Sequence, residues 1–268
     1  MSALETTLTR ERTIVVAGLV ALTLLAWIYI LQGAGMGMTA LAMTKVALFP
    51  HLTPEPMADM AMPTISWITI VAMWWVMMIA MMIPSTAPLI LLYGRVLRHA
   101  AAQNQTTTRF IPTAFLLAGY LLVWLAFSVA AAALQCALQR AGLISQMMLW
   151  SQSALLSAAV LGIAGIYQFS PLKRVCLVQC RGPAQFLAQH MRQGMLGALR
   201  MGVEHGAWCV GCCWILMVLL FVGGVMNLVW IALLAVLVLI EKLAPRGAIA
   251  GYSVGTLLIA WSVATLLV

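Results

Sequence analysis

Long runs of apolar residues, separated by short polar segments, dominate the chain. A helix of about 20 apolar residues crosses the hydrocarbon core of a bilayer, which is about 30 Å thick. Seven such runs lie at approximately 13–32, 64–83, 111–134, 153–170, 206–222, 225–241 and 248–267. The pattern predicts an all-α, polytopic membrane protein with about seven transmembrane helices, forming a single integral membrane domain over residues 1–268.

The composition agrees with this interpretation. Of the 268 residues, 64% are hydrophobic and only 7% are charged, a balance that excludes an ordinary soluble domain. The first run is longer than the apolar core of a signal peptide, and no A-x-A cleavage site follows it, so we expect it to remain as a helix. Neither G-x-x-x-x-G-K-[ST] nor H-E-x-x-H occurs, so the sequence does not favour an enzyme of either class.

Basic residues indicate the orientation of the chain. If the N-terminus is cytoplasmic, 12 of the 14 lysine and arginine residues lie inside, and only Lys45 and Arg140 lie outside. This bias predicts the N-terminus inside and the C-terminus outside. The net charge of +8 is therefore a signal of topology and gives no reason to expect nucleic-acid binding. We expect a multi-pass protein of the bacterial cytoplasmic (inner) membrane, in contact with lipid.

Two connections between the runs are long. The outside loop, 33–63, is rich in methionine and proline. The cytoplasmic loop, 171–204, contains an amphipathic pattern at about Ala184–Met201, which predicts an interfacial helix. Pro84 and Pro171 are expected to end helices at the inner boundary, where freed backbone groups reach water.

Five of the six cysteines form two groups at the same predicted depth. Cys176 and Cys180 follow the fourth run, and Cys209, Cys212 and Cys213 lie at the start of the fifth. Residues four apart share a helix face, so the members of each group can point the same way. A cytoplasmic position argues against stable disulfides. The remaining cysteine, at the outer end of the third run, is interpreted as a packing residue.

Thiolates are soft ligands that select Cu(I) or Zn(II), or hold iron–sulfur clusters. His205 extends the cysteine face by one turn, and Glu204 could orient its imidazole. We therefore expect four sulfurs close enough to share one ion, with His205 or Cys212 as a fifth neighbour. The four are those of Cys176, Cys180, Cys209 and Cys213. Further along the chain, Glu241 and Lys242 are expected to form an ion pair at the interface.

A stripe of methionines occupies the second run. Met73, Met77 and Met81 are four residues apart, and Met78 and Met82 extend the stripe to the next face. Thioether sulfur suits Cu(I), although methionine also fills irregular gaps in a core. The outside loop adds further soft ligands, namely His51, Met57, Met60 and Met62. Together these residues predict a track for Cu(I) from the outside loop to the inner thiolates.

Several motifs resemble a known family. They are MWWVMMIAMMIPS at 73–85, YQFSPLKRVCLVQCRGP at 167–183, VGCCWILM at 210–217, then Met226-Asn227 and Glu241-Lys242. The pattern resembles a bacterial family of predicted metal-binding integral membrane proteins, over residues from about 67 to 245. The resemblance implies that these motifs occur together and that the protein binds a metal.

Three functions remain open. The favoured one is a membrane protein that binds, transfers or transports a soft metal, with Cu(I) preferred and Zn(II) as the alternative, acting with a metal chaperone or a membrane enzyme as partner. The second is a membrane thiol–disulfide oxidoreductase that uses Cys209-x-x-Cys212. The third is a structural accessory subunit of a membrane complex. An enzymatic activity is the less favoured outcome.

Overall fold

The computed structural model describes residues 3–44, 65–102 and 111–267. These residues form ten helices and one isolated β-bridge, between Ile144 and Ser151. The all-α prediction is therefore confirmed for the described part of the chain. In chain order the helices are α1 (Ala3–Leu31), α2 (Trp67–Ala102), α3 (Ile111–Arg140), α4 (Ala154–Gln168), α5 (Pro171–Arg181), α6 (Pro183–His190), α7 (Gly194–Val218), α8 (Leu220–Gly223), α9 (Leu228–Leu243) and α10 (Gly247–Leu267).

Several helices have the length and apolar character to cross a membrane. Among the described residues, five helical segments qualify by themselves: Arg12–Leu31, Trp67–Ala100, Pro112–Arg140, Gly194–Gly223 and Gly247–Leu267. The bent pair α4 and α5 makes a sixth if the two helices form one span. α9 matches the run predicted at 225–241, but its 16 residues are fewer than the 20 or so that cross the hydrocarbon core.

Pro84 and Pro171, both expected to end helices, differ in their effect. The helix break predicted at Pro84 is wrong, because α2 continues through both Pro84 and Pro88. Beside this proline, Ser85 Oγ and Tyr120 OH donate to the Met82 carbonyl at 2.9 and 3.4 Å.

The break predicted at Pro171 is confirmed. Pro171 occupies the first turn of α5, where its missing N–H costs nothing. The Ser170 side chain caps this helix by accepting a hydrogen bond from the Lys173 amide at 3.1 Å. α4 and α5 meet at an angle of 64°, so α5 leaves the direction of α4 and turns its cysteines toward α7.

The amphipathic helix expected at Ala184–Met201 is divided in two. α6 ends at His190, and α7 begins at Gly194, whose φ of +78° suits a residue without a side chain. α7 then continues without interruption to Val218. Cys209 therefore lies about 22 Å along the helix from its start, at a rise of about 1.5 Å per residue. The three cysteines of α7 therefore lie well inside this helix and not at its start, where the run predicted at 206–222 placed them.

Glycines bring the helices close together. A Cβ at Gly202 of α7 would lie 2.0 Å from the Leu116 carbonyl oxygen, and one at Gly119 of α3 would lie 2.1 Å from that of Leu199. α4 and α10 meet in the same way, with a Cβ at Gly165 placed 2.9 Å from the Gly255 carbonyl oxygen. Such contacts let membrane helices pack backbone against backbone. The close approach of α3 to α7 places Tyr120 beside the cysteines.

We expect Gly202→Ala to destabilise the protein, because the added methyl group forces α3 away from α7. Overpacking of this kind costs about 1–3 kcal/mol, which should appear as a lower unfolding temperature in detergent. Gly18→Ala is the matched control, since a Cβ at Gly18 on α1 meets nothing within 4 Å. Equal unfolding temperatures for the two variants would contradict the contact.

Candidate metal site

Four buried thiols gather where α5 faces α7. Cys212 Sγ lies 3.8 Å from Cys180 Sγ across the two helices. The Cys209 side chain interacts with those of Cys180, Cys212 and Cys213. All four side chains are at most 8% exposed. We call Cys180, Cys209, Cys212 and Cys213 the thiol cluster.

Cys176 reaches α7 at a different point. A Cβ at Gly211 would lie only 2.7 Å from Cys176 Sγ, so the glycine makes room for this sulfur. Tyr167 OH donates to the Gly211 carbonyl at 2.5 Å and fixes the same turn of α7. Cys176 therefore packs beside the thiol cluster, against the backbone that carries Cys212.

A lysine adjoins the thiol cluster. Lys242 Nζ, near the end of α9, lies 2.8 Å from Cys209 Sγ and 3.3 Å from Ser85 Oγ. Tyr120 OH lies 3.1 Å from the same sulfur. A fixed ammonium group at this distance offsets the negative charge of a thiolate ligand. Sequence reasoning missed this contact, although a lysine at the end of an apolar run was a signal that could have suggested it.

The ion pair expected between Glu241 and Lys242 is wrong. Glu241 instead binds Lys173 of α5, whose Nζ lies 2.8 Å from each carboxylate oxygen. Lys173 also donates to Gln168 Oε1. Adjacent residues on a helix point in directions about 100° apart, so Glu241 faces α5 while Lys242 faces α7. Both ends of the Lys173–Glu241 pair are nearly inaccessible, at 4% and 2% of the side chain.

His205 lies one turn before Cys209 and is buried. Its ring centre is 5.0 Å from that of Phe186 and 5.9 Å from that of Tyr120. Its Nδ1 atom has no hydrogen-bond partner among the described residues. The prediction that Glu204 orients the His205 imidazole is wrong.

Glu204 has other partners, which explains this correction. It pairs with Arg192 at 3.0 Å and with Arg200, one turn before it on α7, at 3.3 Å. Glu204 and His205 are neighbours along α7 and so point to different sides of the helix. The carboxylate therefore belongs to a partly exposed ion-pair group, and His205 faces the interior without it.

The methionine stripe lies in the interior of the protein. The side chains of Met73, Met77 and Met81 are at most 1% exposed, and so are those of Met78 and Met82. The stripe ends close to the thiol cluster, because Tyr120 and Ser85 each join the Met82 carbonyl to residues of the cluster or its lysine. The methionines and histidine expected in the outside loop, His51, Met57, Met60 and Met62, lie outside the described residues.

The cluster is not arranged as a complete site of three or more ligands. Within residues 3–44, 65–102 and 111–267, no three His, Cys, Asp or Glu side chains are arranged to hold a metal ion. Two of the thiols are turned toward the backbone: Cys212 Sγ and Cys213 Sγ donate to the Cys209 carbonyl at 3.1 and 2.9 Å. Thiols lose their proton on metal binding, so a metal bound at these sulfurs would break both hydrogen bonds.

Comparison with known proteins identifies a family for most of the chain. The profile of PpoB2, described as a copper chaperone, matches residues 71–265. The match takes in the methionine stripe, the thiol cluster and Lys242, and it confirms the resemblance to a metal-binding bacterial family. No curated protein and no solved structure matches the chain significantly.

Removing the Glu241 charge is expected to destabilise the protein strongly. In Glu241→Gln, Lys173 would remain buried with an uncompensated charge, a change that costs about 3–5 kcal/mol. The control is Glu204→Gln, whose ion pairs are partly exposed and are worth about 1 kcal/mol or less. Thermal unfolding in detergent measures both. Equal effects would mean that the Lys173–Glu241 pair contributes no more than a surface pair.

Proposed function

The chain belongs to the copper chaperone family, and we propose that it binds Cu(I) at the thiol cluster and passes the ion to a partner. The observation that carries this proposal is the approach of Cys180 Sγ to Cys212 Sγ, 3.8 Å apart on separate helices. Cys209 and Cys213 lie beside them, and Lys242 supplies a positive charge. In this proposal, Cys176 and His205 adjoin the site as further ligands.

The ligand types favour Cu(I) over Zn(II). A structural zinc site is a closed tetrahedron of four Cys or His ligands, whereas the thiol cluster is joined to a stripe of buried thioethers. Methionine together with cysteine is the set that suits Cu(I). Zn(II) remains the alternative ion for the thiols alone.

The methionine stripe gives the proposal a direction. Met73, Met77 and Met81 would form a route for Cu(I) along α2 that ends beside the cluster at Tyr120 and Ser85. The excess of basic residues in the predicted inner segments supports an N-terminus inside, a C-terminus outside and seven spans in the bacterial cytoplasmic membrane. With this orientation, the route runs from the outside toward the thiols. A metal chaperone or a membrane enzyme is the proposed partner.

A second candidate is thiol–disulfide exchange. The same 3.8 Å approach of Cys180 to Cys212 favours it, since these two thiols could join α5 to α7 by a disulfide. Cys209 and Cys212, the pair expected from C-x-x-C, lie one turn apart on one helix, where Cys212 donates to the Cys209 carbonyl. This reaction requires a disulfide or quinone as oxidant and does not require the methionine stripe.

Serine variants of the cluster test copper binding directly. We expect protein purified without oxygen to bind Cu(I) in stoichiometric amount in competition with a Cu(I) chelator. Cys209→Ser and Cys212→Ser should each weaken binding by at least about tenfold, the scale associated with even an outer-shell partner. Cys136→Ser, half-buried on α3, is the control and should bind normally. Wild-type affinity in all three variants would exclude the thiol cluster as the site.

Leucine variants of the stripe test the route separately. Met73, Met77 and Met81 are replaced together by leucine, a change that conserves volume and usually costs less than about 1.5 kcal/mol at each site. We expect Cu(I) binding at the thiols to persist, while delivery of Cu(I) into proteoliposomes falls sharply. Met148→Leu, a buried methionine outside α2, is the control.

The outcome of this experiment also separates the two candidate functions. Thiol–disulfide exchange should be unaffected by the leucine changes and lost in Cys212→Ser. Full copper delivery in the leucine variant would remove the methionine stripe from the proposed route and leave the cysteine site alone.

A further inference from the structure

We propose that Cu(I) leaves and enters the thiol cluster through two imidazoles, His205 and His190, with the Phe186 ring between them as a gate. This inference rests on the proposed copper function and adds a path to the same site. It also assigns a role to His190, which no motif of the sequence marks as a ligand.

The rings form a continuous series of contacts. The Phe186 ring stacks on that of His190, with centres 4.5 Å apart and planes 15° from parallel. The Phe186 ring also makes an edge contact with that of His205, with centres 5.0 Å apart and planes at 68°. His205 in turn contacts Tyr120, whose hydroxyl lies 3.1 Å from Cys209 Sγ. The series therefore runs from α6 to the thiol cluster.

His205 has the features of an intermediate binding position. Its side chain is 3% exposed, and its Nδ1 atom has no hydrogen-bond partner among the described residues. A buried polar atom without a partner is costly and calls for an explanation such as an ion or ligand. Neutral imidazole nitrogen is a ligand for copper, so a passing Cu(I) ion would satisfy this atom.

His190 is oriented by its own backbone. Its Nδ1 atom lies 3.0 Å from the Phe186 carbonyl oxygen. Because a carbonyl only accepts, Nδ1 carries the proton, and the lone pair of the neutral ring is then on Nε2. A hydrogen bond from the second nitrogen to a carbonyl is how proteins fix the tautomer of a metal-binding histidine. Met191 and Met195 follow His190 along the chain and are 42% and 49% exposed. They place soft donors at the end of the path that is farther from the thiol cluster.

Phe186 keeps the two imidazoles apart. Its side chain is fully buried and offers no lone pair to a metal. An ion moving from His205 to His190 must therefore wait until this ring swings aside. Replacement of His190 should slow the exchange of Cu(I) with the solution. Replacement of Phe186 by a smaller residue should accelerate it. A purely structural role for both residues gives no reason for opposite signs.

The experiment measures how fast a water-soluble chelator removes Cu(I) from the loaded full-length protein in detergent. His190→Asn keeps an amide nitrogen near the position of Nδ1 but removes Nε2. We expect exchange to slow by at least about tenfold, the scale seen when support for a metal ligand is lost, with unchanged copper stoichiometry. His190→Met supplies another soft donor and should restore the rate. Gln189→Asn, exposed on α6, is the control.

The second variant, Phe186→Leu, should accelerate the same exchange. Unchanged rates in His190→Asn, an equal loss in His190→Met, or slower exchange in Phe186→Leu would each overturn the path while leaving copper binding intact. If Phe186→Leu does not fold, the comparison of the asparagine and methionine variants of His190 decides. Absence of copper from the wild-type protein would instead overturn the proposed function itself.

Discussion

The contact between Lys242 Nζ and Cys209 Sγ, 2.8 Å long, is the interaction on which the site depends. A lysine that is 5% exposed among apolar helices requires a partner, because an isolated charge in such a place costs several kcal/mol. The neighbouring carboxylate cannot serve, since Glu241 is held by Lys173. Cys209 Sγ therefore lies where the ammonium group at the end of α9 requires a hydrogen-bond acceptor.

The local architecture follows from that requirement. α5 must contribute both Lys173 to Glu241 and Cys180 to the thiol cluster. A helix that continued straight from α4 would carry these residues away, and the bend of 64° at Ser170 and Pro171 brings them back. α7 contributes its cysteines from the middle of its length, and the glycine contacts with α3 bring Tyr120 to the same sulfur. Side chains of α3, α5 and α9 thus meet at the Cys209 thiol of α7.

The sequence was informative for several features that depend on one helix. Apolar length predicted the helices, and the common predicted depth of the two cysteine groups agrees with the 3.8 Å approach of Cys180 to Cys212. Pro171 acted as expected because it begins a helix, where a proline has no hydrogen bond to lose. These features depend on local geometry, which the order of residues expresses directly.

Partner choice between helices was not predictable in the same way. Glu241 and Lys242 are adjacent in sequence, yet their side chains diverge and meet different helices. Glu204 and His205 diverge likewise, and the carboxylate pairs with Arg192 and Arg200. In each case a tertiary contact decided between arrangements that the local sequence left equally open.

Charge balance connects these contacts to the proposed cargo. One Cu(I) ion held by two thiolates carries a net charge of −1, which a single lysine neutralises. Zn(II) held by four thiolates carries −2, and the same lysine would leave one negative charge buried. Because Glu241 already neutralises Lys173, Lys242 is the one cation that the structure places against these sulfurs within the described residues. Among sites made of thiolates alone, one buried lysine therefore balances a two-coordinate Cu(I) site but not a four-coordinate Zn(II) site, because buried charges in a membrane protein occur in pairs.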